Sequence, residues 1–293
     1  MNKLDFAIIT PSYAPDFERC RLLSWSISEF ISPSVTHYII VDARDLPLFR
    51  QLQKPNTEII TVESVLPWWI QRLPFFTNGW FSLKTVFIRN WLLQQIVKLA
   101  FAQHVDKAVF AFVDSDVTFI RPFNVQSFVR NDQVRLFRVV DQCTTEFIAE
   151  KPIYGKCLQT ASSLLGLPPI NLPTPGYIGN IITWKRDNLF KLYQHIESIS
   201  GKEWIETVYS SWYLSEYILY GVFVDQVLKE RSRHFYDSER ICHEYWSTQT
   251  MSDDQLEKFF AELLPNDKAV MISAKAGIPP QHYQNLVKMN LQI

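Results

Sequence analysis

An α/β fold with a central, mostly parallel sheet flanked by helices is predicted for this chain, and three features predict it. Short apolar runs alternate with amphipathic helical patterns through the first half of the sequence. The run over 107–113 is almost continuously apolar, as a strand buried on both faces must be. Small polar residues and acids close these runs at their carboxyl ends. With 293 residues, 47% of them hydrophobic, and 21 Phe, 12 Tyr and 9 Trp, the chain has the material for a sizeable core.

Taken in order, Phe6-Ala7-Ile8-Ile9 predicts a first strand, closed by Thr10-Pro11-Ser12-Tyr13. Asp16 then precedes a helical pattern carrying Leu22, Leu23, Trp25, Ile27, Phe30 and Ile31. The run over 37–41 ends at Asp42 and repeats the strand theme; a short helix over 46–52 and a third strand over 58–62 follow. Residues 67–80 hold Trp68, Trp69, Phe75, Phe76 and Trp80 among prolines and a glycine, which predicts a structured loop. A long helix is expected over 83–103, and then the central strand, which stops at Asp114-Ser115-Asp116. Beyond it, strands are expected near 134–140 and 177–184, and helices near 188–199, 204–220 and 254–264. A last strand over 269–272 and a helix from Pro280 complete the chain. No repeat, low-complexity tract or linker interrupts it, so a single domain over 1–293 is expected.

Charge narrows the partners. Lys plus Arg number 29 and Asp plus Glu 30, so no net field draws the chain to nucleic acid or an anionic membrane. Cys20, Cys143, Cys157 and Cys242 form neither a metal-ligand spacing nor a disulfide framework, which points to a reducing, cytoplasmic setting. The start lacks a basic and apolar leader pattern, and the most apolar stretch, 91–102, is broken by Gln94, Gln95 and Lys98. At most, peripheral membrane contact is expected.

The acidic pair is the most informative motif. Residues two apart on a strand point the same way, so Asp114 and Asp116 are expected to present two carboxylates at the carboxyl end of the central strand, where open α/β sheets bind ligands. A hard cation, Mn²⁺ or Mg²⁺, needs only one or two carboxylates when a diphosphate and waters complete its shell. Such a metal neutralises charge on a departing nucleoside diphosphate. The competing role is to cap a turn. Arg121, just beyond, has two roles open to it: pairing with a phosphate or with one of these acids.

Four stretches together resemble a GT-A glycosyltransferase, specifically an uncharacterised glycosyltransferase-like bacterial family with a single Asp-x-Asp motif. They are Thr10-Pro11-Ser12-Tyr13 through Asp16 and Arg19; Gly79-Trp80 with the helix around Gln94-Gln95-Ile96-Val97-Lys98-Leu99; Val113-Asp114-Ser115-Asp116-Val117 through Arg121-Pro122-Phe123; and Ser215-Glu216-Tyr217-Ile218-Leu219-Tyr220-Gly221. The resemblance implies a GT-A-like, Rossmann-like domain with a nucleotide-sugar-binding front over about 1–125 and an acceptor-side region over about 126–293. It implies a nucleotide-sugar donor, with UDP as the default, lying across the first strand's loop and the acidic motif, and an acceptor that is a saccharide, lipid or small molecule. Thr10, Pro11, Ser12, Tyr13, Asp42, Lys98, Ser115 and Asn180 are its implied donor and sugar contacts, with Asp114 and Asp116 the metal ligands and Asp116 also catalytic.

Glu216 is the implied general base, taking the acceptor's proton. On the expected helix over 204–220 it shares an otherwise apolar face with Trp212 and Tyr220, and holding the acceptor loop by buried hydrogen bonds is the role equally open to it. The sequence departs from the resemblance near its C-terminus. Where a third metal ligand, commonly His, is expected, it reads Met271-Ile272-Ser273-Ala274-Lys275, so Lys275 is a candidate diphosphate contact and His243 and His282 are the remaining candidate ligands. With 8 Gly there is no dinucleotide or phosphate-binding glycine loop, and no serine-nucleophile elbow occurs. A sugar-phosphate nucleotidyltransferase and a non-catalytic carbohydrate- or nucleotide-binding protein are the rival readings.

Overall fold

The apolar run at the start forms β1 (Phe6–Pro11), five of whose six residues are buried. A computed structural model describes residues 4–73, 79–84 and 90–289. After β1 come α1 (Phe17–Phe30), β2 (Thr36–Val41), α2 (Leu46–Phe49), β3 (Thr57–Thr61) and α3 (Val62–Val65). The aromatic segment expected as a loop is framed by two short antiparallel strands, β4 (Ile70–Arg72) and β5 (Trp80–Ser82). Phe75 and Phe76 lie outside the described residues, as do 85–89 of the expected long helix, which is described from α4 (Asn90–Ala100) onward.

The central strand is β6 (Val109–Val113), followed by β7 (Val117–Phe119), β8 (Val129–Arg130), β9 (Gln133–Phe137) and β10 (Val139–Cys143). Two helices not foreseen from the sequence, α5 (Thr145–Glu150) and α6 (Pro152–Leu164), lead to β11 (Thr174–Gly176) and β12 (Ile181–Lys185). Then come α7 (Arg186–Ser200), α8 (Trp204–Tyr209), α9 (Glu216–Val222), β13 (His234–Asp237), β14 (Cys242–Tyr245), α10 (Asp253–Ala261), β15 (Ala269–Ile272) and α11 (Pro280–Met289).

Among the described residues the main sheet has five strands in the order β12-β6-β1-β2-β3. All pairings are parallel except β12 against β6, so the sheet is mixed and mostly parallel, as expected. Every residue of β6 is buried, and the strand's period of two divides them. Phe110 and Phe112 join the core cluster that contains residues of α4, α6, α7 and α9, whereas Val109, Ala111 and Val113 join the cluster that contains Leu23 and Ile27 of α1. A smaller sheet, β14-β15-β7, continues from the end of the central strand. Its antiparallel β15–β7 pairing draws the Ser273–Lys275 segment back beside the acidic motif.

The helix expected over 204–220 is two helices. Ser210 to Ser215 separate them, and the Ser215 hydroxyl caps the second by accepting from the Ile218 amide at 3.4 Å. Trp212 therefore sits in the break, 69% exposed, and does not share a helical face with Glu216 and Tyr220. Among the described residues no helix is long and apolar enough to cross a membrane.

Candidate functional site

A cavity of about 570 Å³ opens at the carboxyl edge of the main sheet, and four groups of residues supply the side chains nearest the acidic motif, with the start of α6, Ile178-Gly179, Trp246 and Ser273–Lys275 completing the lining. Pro11, Tyr13 and Asp16 come from the loop after β1. That loop is anchored where the Ser12 amide donates to the Ile40 carbonyl at 2.9 Å and the Ala14 amide to Asp45 at 2.9 Å. Asp114, Ser115 and Asp116 come from the turn after β6; Trp91, Gln95 and Lys98 from α4; Glu216 and Tyr217 from the start of α9.

Asp114 and Asp116 reach the cavity from a tight turn and not from one face of a strand. The Val117 amide closes that turn on the Asp114 carbonyl at 3.1 Å. The Asp116 carboxylate accepts from the Ala274 amide at 3.3 Å, while its carbonyl accepts from the Ile272 amide at 3.3 Å. Burial pushes the Asp116 carboxyl up to about 6 and the Asp114 charge adds to the rise, against the pull of the Ala274 amide.

Lys98 joins three of the elements. Its ammonium lies 2.9 Å from Asp114 Oδ1 and 3.0 Å from Glu216 Oε1, and donates to the Tyr217 hydroxyl at 2.9 Å. Lys98 is 6% exposed and Glu216 4%. Burial works against the ammonium, yet Asp114, Tyr217 and Glu216 together hold Lys98 well above the ordinary lysine range. Gln95 completes the junction by accepting from the Glu216 amide at 3.1 Å. Lys98 thus spends its charge on two carboxylates of the protein, where the resemblance had it among the donor contacts.

Of the residues singled out from the sequence, Pro11, Tyr13, Lys98, Asp114, Ser115, Asp116, Glu216 and Lys275 line this cavity. Thr10, Ser12, Asp42 and Asn180 are not among its lining residues. Thr10 points inward, its hydroxyl 3.0 Å from His37 Nε2, and Ser12 is buried. Asp42 is paired with Arg72 at 2.9 Å and Arg44 at 3.4 Å. Asn180 donates to Glu244 at 2.8 Å, although its neighbours Ile178 and Gly179 do reach the cavity. Arg121 is taken up by the carbonyls of Leu264 and Asp267, so it pairs with neither acid.

Neither His243 nor His282 lines the cavity; His243 packs against Phe259 with ring centres 4.3 Å apart and the rings tilted by 40°. Among the described residues no group of three or more His, Cys, Asp or Glu is placed to hold a metal. A cation here would have two protein carboxylates and would take its other oxygens from ligand and water.

Lys151, Tyr154, Trp91 and Trp246 also line the cavity and escaped sequence reasoning, and Gln95 and Tyr217, though within the stretches that carry the resemblance, were given no site role. A signal existed for some of them. Trp91, Gln94, Gln95 and Lys98 follow helical i, i+3, i+4, i+7 spacing, which marks a polar stripe on an otherwise apolar helix.

With this geometry in view, the comparisons with solved structures concern the fold. Mouse xyloside xylosyltransferase 1, apo form, matches with a TM-score of 0.49 at 8% identity, covering 94% of this chain and 100% of that one. The apo structure of the bifunctional glycosyltransferase WbbM matches with a TM-score of 0.50 at 10% identity, covering 99% of this chain. The match takes in 52% of WbbM, so this chain spans about half that protein's length. The fold is therefore one that a glycosyltransferase uses. The chain itself belongs to DUF6492, a family of unknown function whose pattern matches residues 4–292. No curated protein matches its sequence.

Proposed function

We propose that this chain is a glycosyltransferase that moves a sugar from a nucleoside-diphosphate sugar, with UDP as the default nucleotide, to an acceptor hydroxyl. One observation carries the reading. Two carboxylates, Asp114 and Asp116, both line a cavity of about 570 Å³ at the carboxyl edge of a mostly parallel sheet, beside a buried lysine–glutamate pair.

The donor set fits a hard divalent cation, because both side chains offer anionic oxygens and Lys98 occupies only one oxygen of Asp114. Mn²⁺ or Mg²⁺ held there would neutralise charge on the leaving diphosphate. The protein's own residues do the rest. Tyr13 would line the donor end, and Lys275, which lines the same cavity on the segment that binds Asp116, would meet the diphosphate. Glu216 takes the acceptor's proton, and Lys98 keeps it beside Asp114 so that base and metal site hold one spacing.

Thermal unfolding with UDP, GDP or CMP, each with and without Mn²⁺, tests this. A nucleotide present at a hundred times its Kd stabilises by about 2.7 kcal/mol, which is roughly 5 °C in Tm for a chain of this size. That shift is expected only with metal, and Asp116→Asn is expected to abolish it. An equal shift without Mn²⁺, or one that Asp116→Asn retains, sinks the metal reading.

A further inference from the structure

Four carboxylates (Asp16, Asp114, Asp116 and Glu216) and three lysines (Lys98, Lys151 and Lys275) line the candidate cavity, and the way they pair, not their net charge, describes the acceptor. Lys98 is committed to Asp114 and Glu216, and Asp16 to Arg19 at 3.4 Å. Of the three lysines that line the cavity, the other two, Lys151 and Lys275, have no carboxylate partner among the described residues. Lys275 belongs to the donor end through its neighbour Ala274, whose amide holds Asp116.

Lys151 belongs to a different wall, the one built by the start of α6 with Ile153, Tyr154 and Cys157. Its ammonium sits 4.9 Å over the Phe147 ring, a contact that orients the charge without neutralising it. The same cavity is flanked by Trp91 at 48% exposure and Trp246 at 58%, large apolar surfaces open to a ligand. The Trp246 indole is held by donating to Glu244 at 2.9 Å. Flat indole faces are suited to packing against a sugar ring, and an unpaired ammonium to receiving an anion.

We infer that the acceptor is an anionic saccharide: Lys151 receives its phosphate or carboxylate while its ring packs against Trp91 or Trp246. This deepens the transferase reading and rests on it. Neutral saccharides fill the same space but leave Lys151 without a partner, so the cavity discriminates by charge.

Calorimetric titration of the full chain, saturated with UDP and Mn²⁺ to cover the donor end, tests the inference. The probes are a hexose 1-phosphate, a hexuronate, a short-chain prenyl-phosphate-linked hexose and the neutral hexose. Solvent screens a pair at the exposed Lys151, so an anionic probe is expected to bind roughly twofold to fivefold tighter than the neutral sugar. Preference for the prenyl-linked probe identifies a lipid headgroup as the source, and preference for the free phosphate or uronate a soluble saccharide. Lys151 is exposed, so Lys151→Glu does not threaten the fold; it is expected to erase the preference, and Lys151→Arg to keep it.

Equal binding of charged and neutral probes, or a preference that Lys151→Glu leaves intact, overturns the inference. The nucleotide-induced rise in Tm reports on the donor reading separately. A nucleotide shift without anion preference sinks this inference alone, whereas a Lys151-dependent preference without any nucleotide shift supports the anion site and sinks the donor reading.

Discussion

Replacing Lys98 by Met removes the ammonium that Asp114, Glu216 and Tyr217 share while keeping most of the side chain's volume. Two ion pairs are lost, and they are not equal. The Asp114 side chain is 45% exposed, so solvent screens that pair and its loss costs about 0–1 kcal/mol. Glu216 is 4% exposed, and stripping a buried carboxylate of its counter-charge costs about 3–5 kcal/mol. The second effect decides the outcome. A loss of about 3–5 kcal/mol lowers Tm by roughly 6–10 °C in a chain of this length. Urea unfolding followed by tryptophan fluorescence, without metal or nucleotide, measures it. The double variant Lys98→Met/Glu216→Gln removes both charges and is expected to recover most of the loss, because a neutral amide tolerates burial better than an unpaired anion. A loss below about 1 kcal/mol for Lys98→Met, or a double variant no more stable than the single, would refute the reasoning that this pair ties α4 to α9.

Two further outcomes follow from the same packing. The Gly221 α-hydrogen faces the Tyr177 ring, and a Cβ there would meet ring carbons at 2.3–2.8 Å, so Gly221→Ala is expected to destabilise by about 1–3 kcal/mol in the same assay; an unchanged midpoint would mean the α9–Tyr177 contact is slack. Burial lowers His234 to about 4, with Lys185 adding to the fall and the Val134 carbonyl opposing it. Below pH 6.5 the unfolded chain takes up a proton that folded His234 refuses, so its contribution is intact above about 6.5 and is lost progressively as pH falls toward 4. His234→Gln is expected to flatten the stability profile in that window, and a slope equal to that of the unsubstituted chain would exclude His234 as a source.

Much of the sheet was legible because strand and helix periods are local. The apolar runs 6–9, 37–41 and 107–113 each became a strand of the main sheet, and the acids at the end of the last reached the cavity. The helix break at Ser210 to Ser215 was locally signalled by the serine cap before Glu216, but an unbroken apolar pattern masked it. The helices α5 and α6 were missed, and with them Lys151 and Tyr154, although Thr144 caps the first, Pro152 opens the second, and Cys157, Leu158, Ala161 and Leu164 recur at helical spacing.

By itself the sequence determined which segments must be buried, and that two carboxylates would follow the end of the central strand. Only the tertiary structure decided what those carboxylates meet. Lys98 and Tyr217 are 119 positions apart and touch because α4 and α9 contribute to the same core cluster on one side of the sheet. Thr10 and Asn180, chosen as ligand contacts, instead satisfied His37 and Glu244. Hydrogen-bonding side chains do not advertise their partners: a buried polar group must find one, and which one lies within reach is settled by packing between distant segments.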